Sequence, residues 1–327
     1  MKFISNKIFL FSLAILLIII FPIIFLRLNP YTVNIVALIG IYLILCLGLN
    51  ITIGYTGLLD LGFMAFYAVG AYIAAILSTK GISFWITLPI CMLAGGLMRY
   101  LLGLPLLKLR GDYLAIVTLA FGEIVRLVAN NSVSITNGPK GLPRVGEKIM
   151  PIHIFSFVFQ DNIHFYYLIF FFVIVSIIIS YRIEHSRIGR ALIAIREDEV
   201  AAELSGIGVA RIKSVAFVLS GIFGSLAGAI YVHWIGFVSP EMFTFWESVF
   251  LVAMIVIGGM GNIFGVILGV FLLVGMPEIL RSSLGTVFID YRMLIFGMLM
   301  ILIIIFRPQG LIPSKRRALE LHTIEKD

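Results

Sequence analysis

Few side chains in this sequence could do chemistry, and the most informative are charges set inside long apolar runs. Asp60 lies in Gly57-Leu58-Leu59-Asp60-Leu61-Gly62, and Glu123 and Arg126 lie three apart within Tyr113–Ala129. On a helix that spacing puts Glu123 and Arg126 on one face, where they can pair. Ionised groups are costly in hydrocarbon and usually face a bundle interior or a wet cavity. Asp60 therefore reads either as a loop carboxylate at the membrane interface or as a group on a transport pathway. Glu123 and Arg126 read either as a neutralised structural pair near the outer end of their span or as a substrate or proton-relay site.

Catalytic and metal chemistry find no support. His153, His164, His185, His233 and His322 show no HExxH or HxH spacing, so metal ligation is not expected. No GxSxG nucleophile elbow occurs. Cys46 and Cys91 sit in separate apolar runs without a CxxC pair, which argues against zinc and against a disulfide framework. No Gly-Lys dipeptide occurs, so the loop that cradles nucleotide phosphates is missing. The sequence predicts neither an enzyme nor a cofactor; if ATP drives transport, another subunit hydrolyses it.

These charges must be held by elements of unusual composition. The 327 residues are 61% hydrophobic and 13% charged, against roughly 45–50% and about 25% in soluble domains. That excludes an ordinary soluble domain and equally a disordered chain. The net charge is +7, yet the basic residues lie in short stretches between apolar runs. There they meet the lipid bilayer's anionic headgroups rather than nucleic acid. A helix needs ~20 apolar residues to cross hydrocarbon. That ruler predicts spans at Ile8–Leu26, Val33–Ile53, Leu58–Leu77, Phe84–Leu107, Tyr113–Ala129, Phe165–Tyr181, Val215–Ile235 and Tyr291–Phe306. Ile8–Leu26 is too long for a signal-peptide core and reads as a retained span. Trp246–Leu280 is too long for one comfortable span and is broken by Gly258-Gly259-Met260-Gly261-Asn262.

Charge sets the count. With the break taken as a hairpin there are ten spans and both termini are cytoplasmic. Fifteen of the 24 Lys and Arg then lie inside and seven outside, in keeping with the positive-inside rule. Nine spans would put the basic tail around Lys315-Arg316-Arg317 outside. Ten spans divide into two sets of five, which would be inverted repeats if the halves share a fold. No internal sequence repeat supports that symmetry. The expected fold is an all-α integral membrane protein, a single polytopic domain over 1–327. Its first half is about 1–129, an external loop 130–164, and its second half 165–306. A cytoplasmic loop 182–213 and a cytoplasmic tail 307–327 complete it.

Two glycine-rich segments, Gly48–Gly62 and Gly258–Gly269, interrupt the apolar runs. Irregular backbone at membrane depth survives only where protein buries it or it lines a cavity; close helix packing through small residues is the other reading. Gly54, Gly57, Asp60, Gly62, Glu123, Gly258 and Gly261 are accordingly the candidates for a substrate pathway. The loop Arg182–Lys213 carries six basic and five acidic residues. Ile193, Val200, Leu204 and Ile207 form one stripe of a helix there, and Arg196, Glu199 and Glu203 a second; Gly206 and Gly208 supply a stop. Mixed charge suits docking of a soluble partner better than binding of anionic lipid.

Five segments resemble the membrane subunits of branched-chain amino-acid ABC importers, the LivM-type permeases. They are GLNITIGYTGLLDLGFMAFYAVGAY (Gly48–Tyr72), LRGDYLAIVTLAFGEIVRL (Leu109–Leu127), ITNGPKGL (Ile135–Leu142), SRIGRALIAIREDEVAAELSGIGVARIKSVAFVLSG (Ser186–Gly221) and IGGMGNIFGVILG (Ile257–Gly269). The match runs in order from about Asn34 to Gly310, and as a set the motifs are highly specific. The resemblance implies an ATP-driven importer in the bacterial inner membrane. There this permease would pair with a second homologous permease subunit, two cytoplasmic ATP-binding cassette ATPases and an extracytoplasmic substrate-binding protein. Such permeases present an EAA-xxx-G pattern to the ATPases. Ala201, Ala202 and Gly206 match it, while Val200 stands at the acidic position with Glu199 and Glu203 nearby. The Ile-x-Leu-Pro element that follows in the pattern is absent at Ala216–Leu219. The expected coupling residues are Arg196, Glu199, Ala201, Ala202, Glu203 and Gly206. Urea and short-amide permeases carry similar motifs, so those substrates stay open. An ion-coupled secondary transporter using Asp60 or Glu123 is the alternative from another class, and Ala201-Ala202 with Gly206 favours the importer.

Overall fold

A computed structural model describes residues 30–106, 111–143, 147–154, 157–159, 161–278, 297–298, 301–302, 305–307 and 310–312. Apolar runs become helices because a helix satisfies its own backbone, which hydrocarbon cannot do. In order these are α1 (Pro30–Asn50), α2 (Met64–Thr79), α3 (Phe84–Leu106), α4 (Asp112–Asn131) and α5 (Asn162–Glu184). Then come α6 (Arg187–Glu197), α7 (Glu199–Leu204), α8 (Val209–Ile235), α9 (Phe245–Gly258) and α10 (Ile263–Val270). Among the described residues, six helical segments are long and apolar enough to cross a membrane: Tyr31–Tyr55, Phe84–Leu106, Tyr113–Asn131, Asn162–Glu184, Val209–Ile235 and Pro240–Gly258. Met64–Thr79 and Ile263–Glu278 are shorter apolar helices. The expected span Ile8–Leu26 and most of Tyr291–Phe306 lie outside the described residues, as does most of the tail.

Helix α8 is the hub, packed on α1, α2 and α3. Its inward stripe is small: Ser220, Gly221, Gly224, Ser225 and Gly228 are all buried. A Cβ at Gly221 would stand 2.6 Å from the carbonyl of Gly95 on α3. Backbones approach closely through small residues where no hydrophobic drive pulls helices together. On the outside, Leu93, Leu97, Leu101, Ile116, Ile124 and Val128 are exposed. Such apolar stripes suit a hydrocarbon surround.

Three departures from the sequence expectations stand out. The third expected span, Leu58–Leu77, starts late, because residues 57–63 are irregular and α2 begins only at Met64. Side chains replace the missing ladder there: Leu61 N–H donates to Thr118 Oγ1 and Gly62 N–H to Asp60 Oδ1, each at 3.1 Å. The loop between α4 and α5 adds an antiparallel hairpin, β1 (Ile152–Ile154) with β2 (Phe157–Phe159), in the register Ile152↔Phe159. The amphipathic helix expected over Ile193–Ile207 is two helices. Asp198 turns extended and caps the second, accepting from Val200 N–H at 2.8 Å and Ala201 N–H at 3.0 Å.

Where Trp246–Leu280 was expected to break, it does. Gly259 (φ 124°) and Gly261 (φ 78°) sit in the left-handed region between α9 and α10, which a residue with a Cβ rarely adopts. Gly265 and Gly269 of α10 pack back on Gly258 and Met254 of α9, so the two helices run antiparallel. The other glycine-rich segment loosens α1 into a π-helical turn, Ile51–Tyr55, a form that recurs at functional sites.

Candidate functional site

The two interruptions meet. Asn50, where α1 ends, accepts the Gly261 N–H on its side-chain oxygen at 2.9 Å. A Cβ at Gly54 would stand 2.7 Å from the Gly261 nitrogen, so only glycine permits this approach. Arg196, from the last turn of α6, donates its Nη1 to the Gly54 carbonyl. Its Cγ lies 3.0 Å from where a Gly57 Cβ would be, and its Nη1 3.5 Å from one at Gly261. Expected pathway residues Gly54, Gly57 and Gly261 and the expected coupling residue Arg196 therefore form one cluster. Gly258 joins at its edge: Leu311 N–H donates to Ile257 at 2.8 Å and Ile312 N–H to Gly258 at 2.9 Å.

Asp60 and Arg99 form a sealed ion pair beside this cluster, with side chains 0% and 1% exposed. The Arg99 guanidinium lies between the rings of Phe66 and Phe217, at 4.4 and 4.7 Å from their centroids, a geometry that stabilises a desolvated cation. Arg99 Nε and Nη1 have no hydrogen-bond partner among the described residues. Gly62 packs on the Thr118 backbone and against Gly122. Arg99 lies within the expected span Phe84–Leu107, and a guanidinium in an apolar run needs a counter-charge, although its spacing does not say which residue supplies it.

Glu123 and Arg126 pair as their spacing predicts, with Nε 3.0 Å from both carboxylate oxygens. They are 38% and 22% exposed, and Arg126 also reaches Glu241 at 4.0 Å. That places them toward the opposite end of the bundle. There Leu142 and Val238 exchange backbone hydrogen bonds at 2.8 and 2.6 Å, so the ITNGPKGL segment braces the turn after α8. Glu123 is not part of the Gly54 cluster.

The loop expected to couple, 182–213, is anchored at both of its helices. Leu192, Ile195, Ala202 and Val209 are buried, rather than the expected stripe of Ile193, Val200, Leu204 and Ile207. Val200 is 54% and Leu204 85% exposed. The expected charged stripe divides as well: Arg196 turns to Gly54, Glu199 binds the buried Lys213 at 2.7 Å, and Glu203 is exposed together with Ala201. Gly206 has φ 82°. Its N–H bonds to Glu203 at 2.9 Å and the Ile207 N–H to Ala202 at 3.1 Å, which closes α7 with a left-handed cap. Among the described residues, nothing beyond its chain neighbours lies within 4 Å of a Cβ built there. Among the described residues no cluster of three or more His, Cys, Asp or Glu could hold a metal.

With this geometry in hand, comparison with known proteins is informative. The family described as branched-chain amino acid transport system / permease component matches residues 31–304. The high-affinity branched-chain amino acid transport system permease protein LivM of Escherichia coli is 44% identical over 310 residues, covering 89% of this chain and 72% of that protein. The probable branched-chain amino acid transport permease protein LivM of Methanocaldococcus jannaschii is 26% identical over 322 residues, 84% of this chain and 91% of that one. LivH of Salmonella typhimurium, another permease protein of such a system, is 33% identical over 132 residues, 40% of this chain and 41% of that one. No solved structure gives a significant match. From the helices, the glycine breaks and the extent of these matches, the chain belongs to the permease components of branched-chain amino acid transport systems.

Proposed function

We propose that this permease carries branched-chain amino acids across the inner membrane as part of an ATP-driven importer. Its partners are a second homologous permease, two cytoplasmic ATPases and an extracytoplasmic binding protein. Ten spans, cytoplasmic termini and a cytoplasmic 182–213 loop complete the reading. One observation carries it: Arg196 of the loop bonds to Gly54 in the α1 break and lies beside the α9–α10 break, its Nη1 3.5 Å from where a Gly261 Cβ would be. A movement of α6 and α7 imposed by a partner therefore reaches both irregular segments through one side chain. A ligand or partner shifts such an element only by binding its states unequally. The exposed Val200 and Leu204 beside Ala201 and Glu203 supply the surface for that contact. Ion coupling is disfavoured, because Asp60 and Glu123 are both neutralised by arginines.

The experiment measures uptake of leucine, isoleucine, valine and urea by cells carrying the complete system, with active or inactivated ATPases. Uptake should collapse when the ATPases are inactive; persistence would sink the ATP-driven reading. Leu204→Glu should leave insertion normal, strip the ATPases from the purified complex and cut leucine uptake at least about tenfold, the equivalent of ~1.4 kcal/mol at the contact. Normal uptake with full ATPase retention would remove this surface from the docking site. For topology, a thiol at Lys140→Cys should react with an impermeant reagent in intact cells, and one at Arg316→Cys only after permeabilisation.

A further inference from the structure

A cavity of about 580 Å³ opens between α1, α9 and the helical continuation of α10, within the size range of small-molecule sites. Leu38, Phe250, Ala253 and Val274 give it an apolar wall, and Glu247 places a carboxylate in it. The Tyr42 hydroxyl donates to Glu247 Oε2 at 3.0 Å, and the Tyr42 ring meets Phe250 edge-on at 6.3 Å. A second tyrosine–carboxylate contact, Tyr31 to Glu278 at 2.7 Å, lies on the same wall. Asp60, Glu123 and Glu199 each have a cation within ion-pair reach. Glu247 has none among the described residues, although it sits in the first turn of an apolar helix. An intramembrane carboxylate without a fixed counter-charge is costly unless something mobile supplies that charge.

We propose that this cavity is a substrate site in which Glu247 receives the ammonium of an amino acid with a branched apolar side chain. The inference rests on the importer reading and adds a location to it. Glu247 supplies the anion and Tyr42 fixes its orientation by hydrogen bonding. The Tyr42 and Phe250 rings offer the faces that attract ammonium groups, and Leu38, Ala253 and Val274 accept the side chain. The described wall thus engages the amine and the apolar body.

The test uses the assembled transporter in membrane vesicles, with Cys46→Ala, Cys91→Ala and Ala253→Cys as a reporter. A thiosulfonate reagent bearing an ammonium should label the reporter at least about tenfold faster than a sulfonate reagent of equal length, as a focused negative potential dictates. Leucine and isoamylamine should both slow labelling, and 4-methylpentanoate, which lacks the amine, should not. Glu247→Gln keeps the shape and should bring the two rates within about twofold while abolishing protection. Equal rates in the parent, no labelling, no protection by leucine, or a preference that survives Glu247→Gln would each overturn the proposal. Labelling needs no ATP, so its failure is distinct from failure of the ATP-driven reading, which is decided by uptake with inactivated ATPases.

Discussion

Glu123–Arg126 and Asp60–Arg99 both lie within the apolar part of this molecule, and their surroundings make them different objects. Glu123–Arg126 is local, three residues apart on α4, and partly open. Asp60–Arg99 joins the irregular segment before α2 to the middle of α3, with both side chains enclosed and the guanidinium held between two rings. The first closes on itself wherever α4 goes. The second exists only if α2, α3 and α8 are assembled, and its formation reports that assembly. Charge type alone does not separate them; enclosure does.

The contrast breaks or sharpens under substitution. Arg99→Ala strands the Asp60 carboxylate and should cost about 3–5 kcal/mol, measured by equilibrium unfolding of the detergent-solubilised chain. A cost under about 1 kcal/mol, the range of exposed pairs, would show that the enclosure carries no weight. Asp60→Asn added to Arg99→Ala removes the stranded charge and should recover part of the loss. Arg99→Lys should fall between, because a compact ammonium cannot reproduce the planar stacking of guanidinium between Phe66 and Phe217. Lys213, 2% exposed against Glu199 at 27%, is the intermediate case. Lys213→Met keeps the stem's packing and should cost about 1–3 kcal/mol by leaving its partner unpaired. Arg126→Gln should cost no more than about 1 kcal/mol. If its loss equals that of Arg99→Ala, the two pairs are not distinguished by burial.

Much of this was legible beforehand. Apolar runs gave helix positions because hydrocarbon demands one residue class for a whole span. The α9–α10 break was legible in Gly258-Gly259-Met260-Gly261-Asn262, since two of those glycines must take a positive φ. The Glu123–Arg126 pair was legible from spacing. The Arg99–Asp60 and Tyr42–Glu247 contacts were not, because they join residues 39 and 205 apart in sequence and one-dimensional periodicity carries no information about them. The division of the loop 182–213 into two helices was illegible for another reason. Its apolar period continues through Asp198, whereas that side chain caps a new helix there, and a local capping bond outweighed the pattern. The Gly206 expectation changes in kind. Gly206→Glu would disturb the cap of α7 whatever docks beside it, so Leu204→Glu is the cleaner probe of the partner surface.

The backbone bonds from Leu311 and Ile312 to Ile257 and Gly258 also bear on the order in which the protein is made. Fifty residues separate Asn262 from Ile312, whose carbonyl accepts its side-chain amide. While the ribosome is still translating that stretch, the N–H groups that Leu311 and Ile312 give to the Ile257 and Gly258 carbonyls have not yet been made. The turn is finished by nearly the last described residues to emerge. A nascent chain that stalls late is thus unfinished at its central bend rather than merely short at its end. A stop placed before Gly310 should accordingly lower the steady-state amount of protein in the membrane more than loss of the charged tail alone.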